Sequence, residues 1–225
     1  MKYFLDSAKL DEIKYAYENW GLDGVTTNPK HIYNSGLPFK EAVGKIADWV
    51  KKEKIEGWDK FPVSVEIDPY LEDAEGMIKA AKDIASISPN FVIKVPCTEQ
   101  GLVASRKLEK DGVRTNVTLV FSASQAIAAG RNNALFCSPF VGWKEASGED
   151  CTDFIARVTD IFQIKGYETE VLVAALRSGK QIAEAAAMGA DIVTAGFQVY
   201  KDSFYHAFTD YGLGVFRDAW DKIEK

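Results

Sequence analysis

Lys94 stands in the run FVIKVP (residues 91–96), flanked by Phe91, Val92, Ile93 and Val95. An ammonium is costly to strip of water, so lysines ordinarily stay at surfaces. A lysine on a strand edge, or one whose stem packs while its head snorkels out, is the bland alternative. The other polar residues that end apolar runs change the balance. Asp6 closes YFLD, Thr26 and Asn28 lie in VTTN, and Glu66 interrupts PVSVEI. Asn116 and Thr118 alternate with Val117 and Leu119 in TNVTLV, and Ser138 stands in CSPFV ahead of Phe140. A lysine enclosed with carboxylates and hydroxyls is equipped to form a Schiff base with a carbonyl substrate. The iminium is an electron sink, so a carbon–carbon bond two atoms away can break and re-form. Desolvation would lower the lysine's affinity for its proton and the carboxylates would raise it, so the sequence leaves the balance open.

These residues need strands to hold them. Eight short apolar runs recur along the chain, at 3–6, 24–27, 62–67, 91–96, 113–120, 135–141, 170–176 and 191–196. Between them lie helical patterns, such as Phe39, Val43, Ile46 and Val50, or Met77, Ala81, Ile84 and Ala85. Strand and helix alternating eight times predict an α/β fold, a single (β/α)8 TIM barrel over residues 1–225. The runner-up, an open doubly wound sheet, lacks a G-x-G-x-x-G loop after an early strand.

Successive strand side chains point to opposite faces. Val63, Val65 and Ile67 therefore face helices while Ser64 and Glu66 point inward. Phe91, Ile93 and Val95 leave Lys94 inside. Val117, Leu119 and Phe121 are expected on the helix side, with Asn116 and Thr118 opposite. The polar groups gather at strand C-terminal ends, where barrel active sites are built.

Composition narrows the function further. The net charge of −6 and a pI near 5.1 argue against nucleic acid or an anionic membrane as partner. No run of about 18 apolar residues could span a bilayer, and the N-terminus has no signal-peptide pattern. Cys97, Cys137 and Cys151 are an odd, unpaired set, as expected of reduced thiols in a cytoplasmic protein. Cys97 reads as a small buried thiol. His31 and His206 are far apart in the chain and read as isolated, so neither a metal site nor a cofactor is expected. Lysine, carboxylates, hydroxyls and amides are left to carry the chemistry.

LDSAKLDEIKYAYENWGLDGVTTNPK, VIKVPCTEQGL, TNVTLVFSASQA and SPFVG closely resemble the transaldolase family, in the short branch that also holds the fructose-6-phosphate aldolases. The resemblance implies transfer of a dihydroxyacetone unit from a ketose to an aldehyde. It makes Lys94 the Schiff-base lysine, Asp6 the acid/base at the C4 hydroxyl, and Glu66 with Thr118 the pair that orients a catalytic water. Asn28, Asn116 and Ser138 are similar to residues that hold the dihydroxyacetone hydroxyls. Aldolases of the branch resemble one another in carrying Gln at position 66 and Tyr at 140, so Glu66 and Phe140 favour transfer. The alternative is an aldolase releasing free dihydroxyacetone.

The chain departs from that pattern at its anion site. Trp143 stands where the family usually has a phosphate-gripping arginine after SPFVG, and Ala175 where it tends to have serine. Arg177 remains, followed by Ser178 and Lys180, after strand seven. An indole offers one N–H and cannot match phosphate as an arginine fork does. Three donors stay open: a sugar phosphate held by Arg177, Ser178 and Lys180 or Lys144; a sulfonate such as 6-deoxy-6-sulfofructose, with one charge on an apolar stem; or an uncharged sugar. Lys30 reads as a solvated surface lysine, with aid to an anionic substrate as the alternative. Phe204, Tyr205, Phe208, Tyr211, Phe216 and Trp220 crowd the C-terminal stretch, about residues 200–225, and would be sticky if exposed. That predicts a homo-oligomer, and the resemblance implies decamers of stacked pentamers.

Overall fold

The computed structural model describes residues 1–223. The last residues of the C-terminal stretch, 224–225, lie outside the described set. The chain begins with β1 (Lys2–Asp6), α1 (Leu10–Trp20), β2 (Gly24–Thr26), α2 (Pro29–Asn34) and α3 (Phe39–Lys52). It continues through β3 (Val63–Glu66), α4 (Ala74–Ala85), β4 (Phe91–Pro96), α5 (Glu99–Lys110), β5 (Thr115–Val120) and α6 (Ala123–Arg131). Next come β6 (Phe136–Pro139), α7 (Gly142–Ala146), α8 (Thr152–Lys165), β7 (Glu170–Leu176) and α9 (Gly179–Ala187). The final elements are β8 (Ile192–Ala195), α10 (Phe197–Ser203) and α11 (Ala207–Trp220). The eight strands pair in parallel, each with its sequence neighbour, and β1 pairs with β8 to close the barrel. This is the expected (β/α)8 architecture.

Each strand-to-helix turn carries its own stop and start. Asn28, Asp73, Thr98, Ser122 and Ser178 cap the helices that follow β2, β3, β4, β5 and β7, each accepting a backbone N–H from three residues on. Such caps satisfy amides that the first helical turn leaves free. They also fix where each helix leaves the barrel mouth.

Alternation sorts the side chains into two layers. Leu5, Val25, Val63, Val65, Ile93, Val95, Val117, Val171 and Val193 are buried against the helices. The inward set begins with an apolar plug of Phe4, Val92, Phe136, Leu172, Ala174 and Ile192. Phe4 and Phe136 meet edge to face, with centroids 5.6 Å apart. Gly24 makes room for this plug: a Cβ there would lie 2.7 Å from the Phe4 ring and 2.8 Å from the Pro62 carbonyl. Above the plug the inward positions become polar.

The alternation fails where β5 and β7 shift register, between Val117 and Val120 and between Val173 and Leu176. Leu119 (φ 58°) and Ala175 (φ 60°) take left-handed backbone there, which costs an L-residue about 1–2 kcal/mol. The expected helix-facing placement of Leu119 and Phe121 is therefore corrected. Val120 takes the core position, Leu119 turns into the barrel mouth, and Phe121 packs with Phe140 and Trp143.

The chain's last part locks the first. The Tyr200 hydroxyl, on α10, lies 2.8 Å from the Phe4 carbonyl and 3.2 Å from that of Val193. Its ring stacks on Tyr3 at 5.2 Å. α11, by contrast, buries none of its residues, and the aromatics named above are all exposed.

Candidate active site

The C-terminal ends of the strands enclose a cavity of about 400 Å³. Asp6, Glu66 and Lys94 lie at its floor, with Asn28, Lys30, His31, Leu119, Phe140, Trp143, Ala175 and Arg177 among its walls. Register explains the floor: Glu66 pairs with Lys94 across β3 and β4, and Lys94 with Asn116 across β4 and β5. Asp6 pairs with Thr26 across β1 and β2.

Lys94 is 3 % exposed. Its Nζ donates to the Thr27 carbonyl at 3.1 Å and lies 4.0 Å from Glu66 Oε2. Burial raises the Glu66 carboxyl above its usual range, the Lys94 charge opposing and the Asp6 charge adding to the rise. Asp6 ends lower than an ordinary carboxyl. Burial pushes it up, but the hydrogen bond and charge of His31, the charge of Lys94 and the Thr26 hydroxyl outweigh that push. Two partly buried carboxylates beside one lysine are thus driven in opposite directions, the usual mark of divided acid and base roles.

Around the floor of the cavity lies a layer of polar side chains. Thr26 Oγ1 donates to Asp6 Oδ1 at 2.8 Å and is 2.6 Å from Thr194 Oγ1. Asn116 is held at both ends, donating to Ser64 Oγ at 3.0 Å and accepting from Ser138 Oγ at 2.7 Å. Thr118 Oγ1 is buried and makes no protein hydrogen bond. An unpaired buried hydroxyl is costly.

The structure gathers Asp6, Asn28, Glu66, Lys94, Phe140, Trp143 and Arg177 on the cavity, with Thr26, Asn116, Thr118 and Ser138 buried within the barrel. Ser178 and Lys180 are not on the lining. Ser178 is spent capping α9, and the exposed Lys180 pairs with Glu184 at 2.9 Å. Lys144 is likewise drawn off, paired to Glu149 at 2.5 Å and lying over the Phe154 ring. Lys30 is exposed, as expected, and also lines the cavity.

His31 corrects the sequence reading outright. It is not isolated: its Nε2 lies 3.0 Å from Asp6 Oδ2. The signal was present in TTNP. Asn28 caps and Pro29 starts a helix directly at the end of β2, so residues 30 and 31 must fall in its first turn, at the mouth.

The wall opposite α2 is aromatic. Trp143 packs edge-on to Phe140 at 5.4 Å and stacks near Phe121 at 6.1 Å. Gly142 brings α7 against β7: a Cβ there would lie 2.1 Å from the Ala175 carbonyl and 3.0 Å from Arg177 Cγ. Only a residue without a side chain lets Trp143 and Arg177 approach the same end of the cavity.

Residues 3–224 match the model of the Transaldolase/Fructose-6-phosphate aldolase family. The chain belongs to that family. Among relatives, the 6-deoxy-6-sulfo-D-fructose transaldolase of Priestia aryabhattai is 58 % identical over 98 % of this chain and 96 % of its own. A "Probable transaldolase" of Coprothermobacter proteolyticus is 42 % identical over 99 % and 98 % of the two chains. Thiamine phosphate pyrophosphorylase from Pyrococcus furiosus shares only the fold, at a TM-score of 0.61, 10 % identity, and 90 % and 93 % coverage of the two chains. As a family member the chain is an enzyme of the transaldolase type. Among its described residues no helix is long and apolar enough to cross a membrane, and no group of three or more His, Cys, Asp and Glu is arranged to hold a metal ion.

Proposed function

We propose that this family member is a Schiff-base transaldolase whose donor is a ketose with a terminal sulfonate, 6-deoxy-6-sulfofructose. The observation that carries the donor is the far end of the cavity. Arg177 lines it beside the indole of Trp143 and the ring of Phe140, while Lys30 lines the cavity from α2, and neither cation has a carboxylate partner among the described residues. Few cations and a broad apolar wall suit a single negative charge on an apolar C–S stem. A phosphate, with more charge to neutralise, favours paired arginine forks. The Priestia aryabhattai relative, a transaldolase of this sulfosugar by name, supports the same donor.

In this reading the Lys94 amine attacks the C2 carbonyl and water leaves, giving an iminium. Glu66 and the free Thr118 hydroxyl hold that water. Asp6 takes the proton of the C4 hydroxyl as the C3–C4 bond breaks, and the bond's electron pair passes to the iminium to form an enamine. A three-carbon aldehyde carrying the terminal anion departs. The enamine then attacks an acceptor aldehyde, Asp6 returns the proton to the new hydroxyl, and water releases the product. Asn28, Asn116 and Ser138 hold the dihydroxyacetone hydroxyls. Ser138 retains a free lone pair, and Asn116 Nδ2 a second N–H.

Borohydride trapping tests the assignment. The protein is incubated with 6-deoxy-6-sulfofructose or fructose 6-phosphate, reduced, and analysed by intact mass and peptide mapping. A three-carbon adduct on Lys94, formed mainly from the sulfonate donor, is expected. Trapping mainly from the phosphate would make this an ordinary transaldolase, and no adduct from either would overturn the mechanism. Turnover without any acceptor aldehyde would mark an aldolase.

The exposed aromatic face of α11 supports a homo-oligomer with α11 in the subunit contact. Light scattering of the wild type and of a Phe208→Ser, Phe216→Ser double variant would show an assembly and its loss.

A further inference from the structure

We infer that His31 is a positioning residue for Asp6, fixing the orientation of the carboxylate that moves the substrate proton. The inference rests on the reading of Asp6 as acid/base, but the contact itself is geometric. Asp6 presents two oxygens, and each has a different partner. Thr26 donates to Oδ1 from β2 at 2.8 Å, and His31 Nε2 lies 3.0 Å from Oδ2, from the first turn of α2. A ring nitrogen facing a carboxylate carries the proton, so Nε2–H is the donor. With two donors from two elements, the carboxylate plane cannot swing and one lone pair of each oxygen is committed. The other charged groups facing Asp6 are Lys94 and, across the floor, Glu66.

The same residue also fixes the donor's other anchor. The His31 backbone N–H donates to Asn28 Oδ1 at 2.9 Å. That commits the amide's carbonyl oxygen and leaves its NH₂ for a substrate hydroxyl. Residue 31 thus joins, through one turn of helix, a hydroxyl ligand and the proton carrier. Its side chain is 23 % exposed, so substitution should not disturb the core.

Two variants separate the roles. His31→Phe keeps a ring and removes the donor; His31→Gln keeps an N–H donor. After borohydride reduction with the sulfonate donor, the wild type should carry the three-carbon adduct. His31→Phe should form as much total adduct but shift at least about tenfold toward the uncleaved six-carbon form, with kcat falling as far and KM little changed. His31→Gln should recover most of the wild-type ratio. An unchanged ratio in His31→Phe, or no recovery in His31→Gln, overturns the inference. A wild type without adduct overturns the mechanism instead, and a readout independent of turnover then decides. The carboxyl ¹³C signal of Asp6 should titrate at higher pH in His31→Phe and return in His31→Gln. No movement refutes the positioning role whatever the substrate.

Discussion

Lys94 Nζ is closer to a neutral carbonyl, that of Thr27 at 3.1 Å, than to the nearest carboxylate oxygen of Glu66 at 4.0 Å. The amine is therefore tethered to the residue that follows β2 while Glu66 stays one step back, which in the proposed mechanism leaves space for the water that leaves and returns. Lys94→Met should keep the fold, since methionine fills the same unbranched volume, and should lower transfer by at least about a thousandfold. The check is absence of any borohydride adduct in a protein with an unchanged circular dichroism spectrum. Residual trapping at another lysine would contradict the assignment.

Trp143→Arg would restore a guanidinium beside Arg177. A charge-assisted hydrogen bond is worth about 1.5–3 kcal/mol, so the ratio of kcat/KM for phosphate over sulfonate donor should rise by about tenfold or more. An unchanged ratio would show that the indole does not set the choice of anion.

Glu66 makes a pH-dependent contribution to stability whose sign is fixed. Burial raises its carboxyl above the ordinary 4.5, so the folded protein holds the proton to higher pH than the unfolded chain. The stabilisation is complete below about pH 4.5 and lost as pH rises through the folded value. Asp6 acts oppositely, below its ordinary 3.8 in the fold, contributing stability above that value and losing it in more acid solution. Glu66→Gln should flatten the fall in unfolding free energy that the wild type shows as pH rises above about 4.5, measured by urea titration. A wild type that stays flat while the variant falls would contradict this.

Burial pushes the Cys97 and Cys151 thiols up to about 11 and Cys137 higher still. At pH 8 a thiol near 11 is about one part in a thousand thiolate. Iodoacetamide should label the native protein far more slowly than the urea-unfolded chain, read by mass. Rapid native labelling of Cys97 would place a reactive thiol by the cavity.

Much of this site was legible because strand parity is rigid. Ser64, Glu66, Lys94, Asn116 and Ser138 point inward as alternation requires, and the Lys94–Glu66 register follows from neighbouring parallel strands. Alternation could not foresee Leu119 and Ala175, because a left-handed residue inverts it and neither leucine nor alanine advertises that conformation. The lining of the proposed anion end was legible only in part, since Trp143 and Arg177 reach the cavity and Lys180 and Ser178 do not. Lys144 and Lys180 look available in sequence, yet carboxylates on their own loop or helix, Glu149 and Glu184, claim them. His31 escaped because its partner is 25 positions earlier and reached only through the turn of α2.

The Tyr200 hydroxyl, resting on carbonyls from β1 and β8, also dates the barrel's completion during synthesis. Residues 2–5 pair with 192–195, so the first strand leaves the ribosome almost the whole chain ahead of its second neighbour. Until β8 emerges, β1 can pair only with β2 and carries a free edge, a template for wrong partners. A nascent chain halted before residue 192 should therefore depend on chaperones, whereas one extended past residue 200 can seal itself and pin the seam with Tyr200.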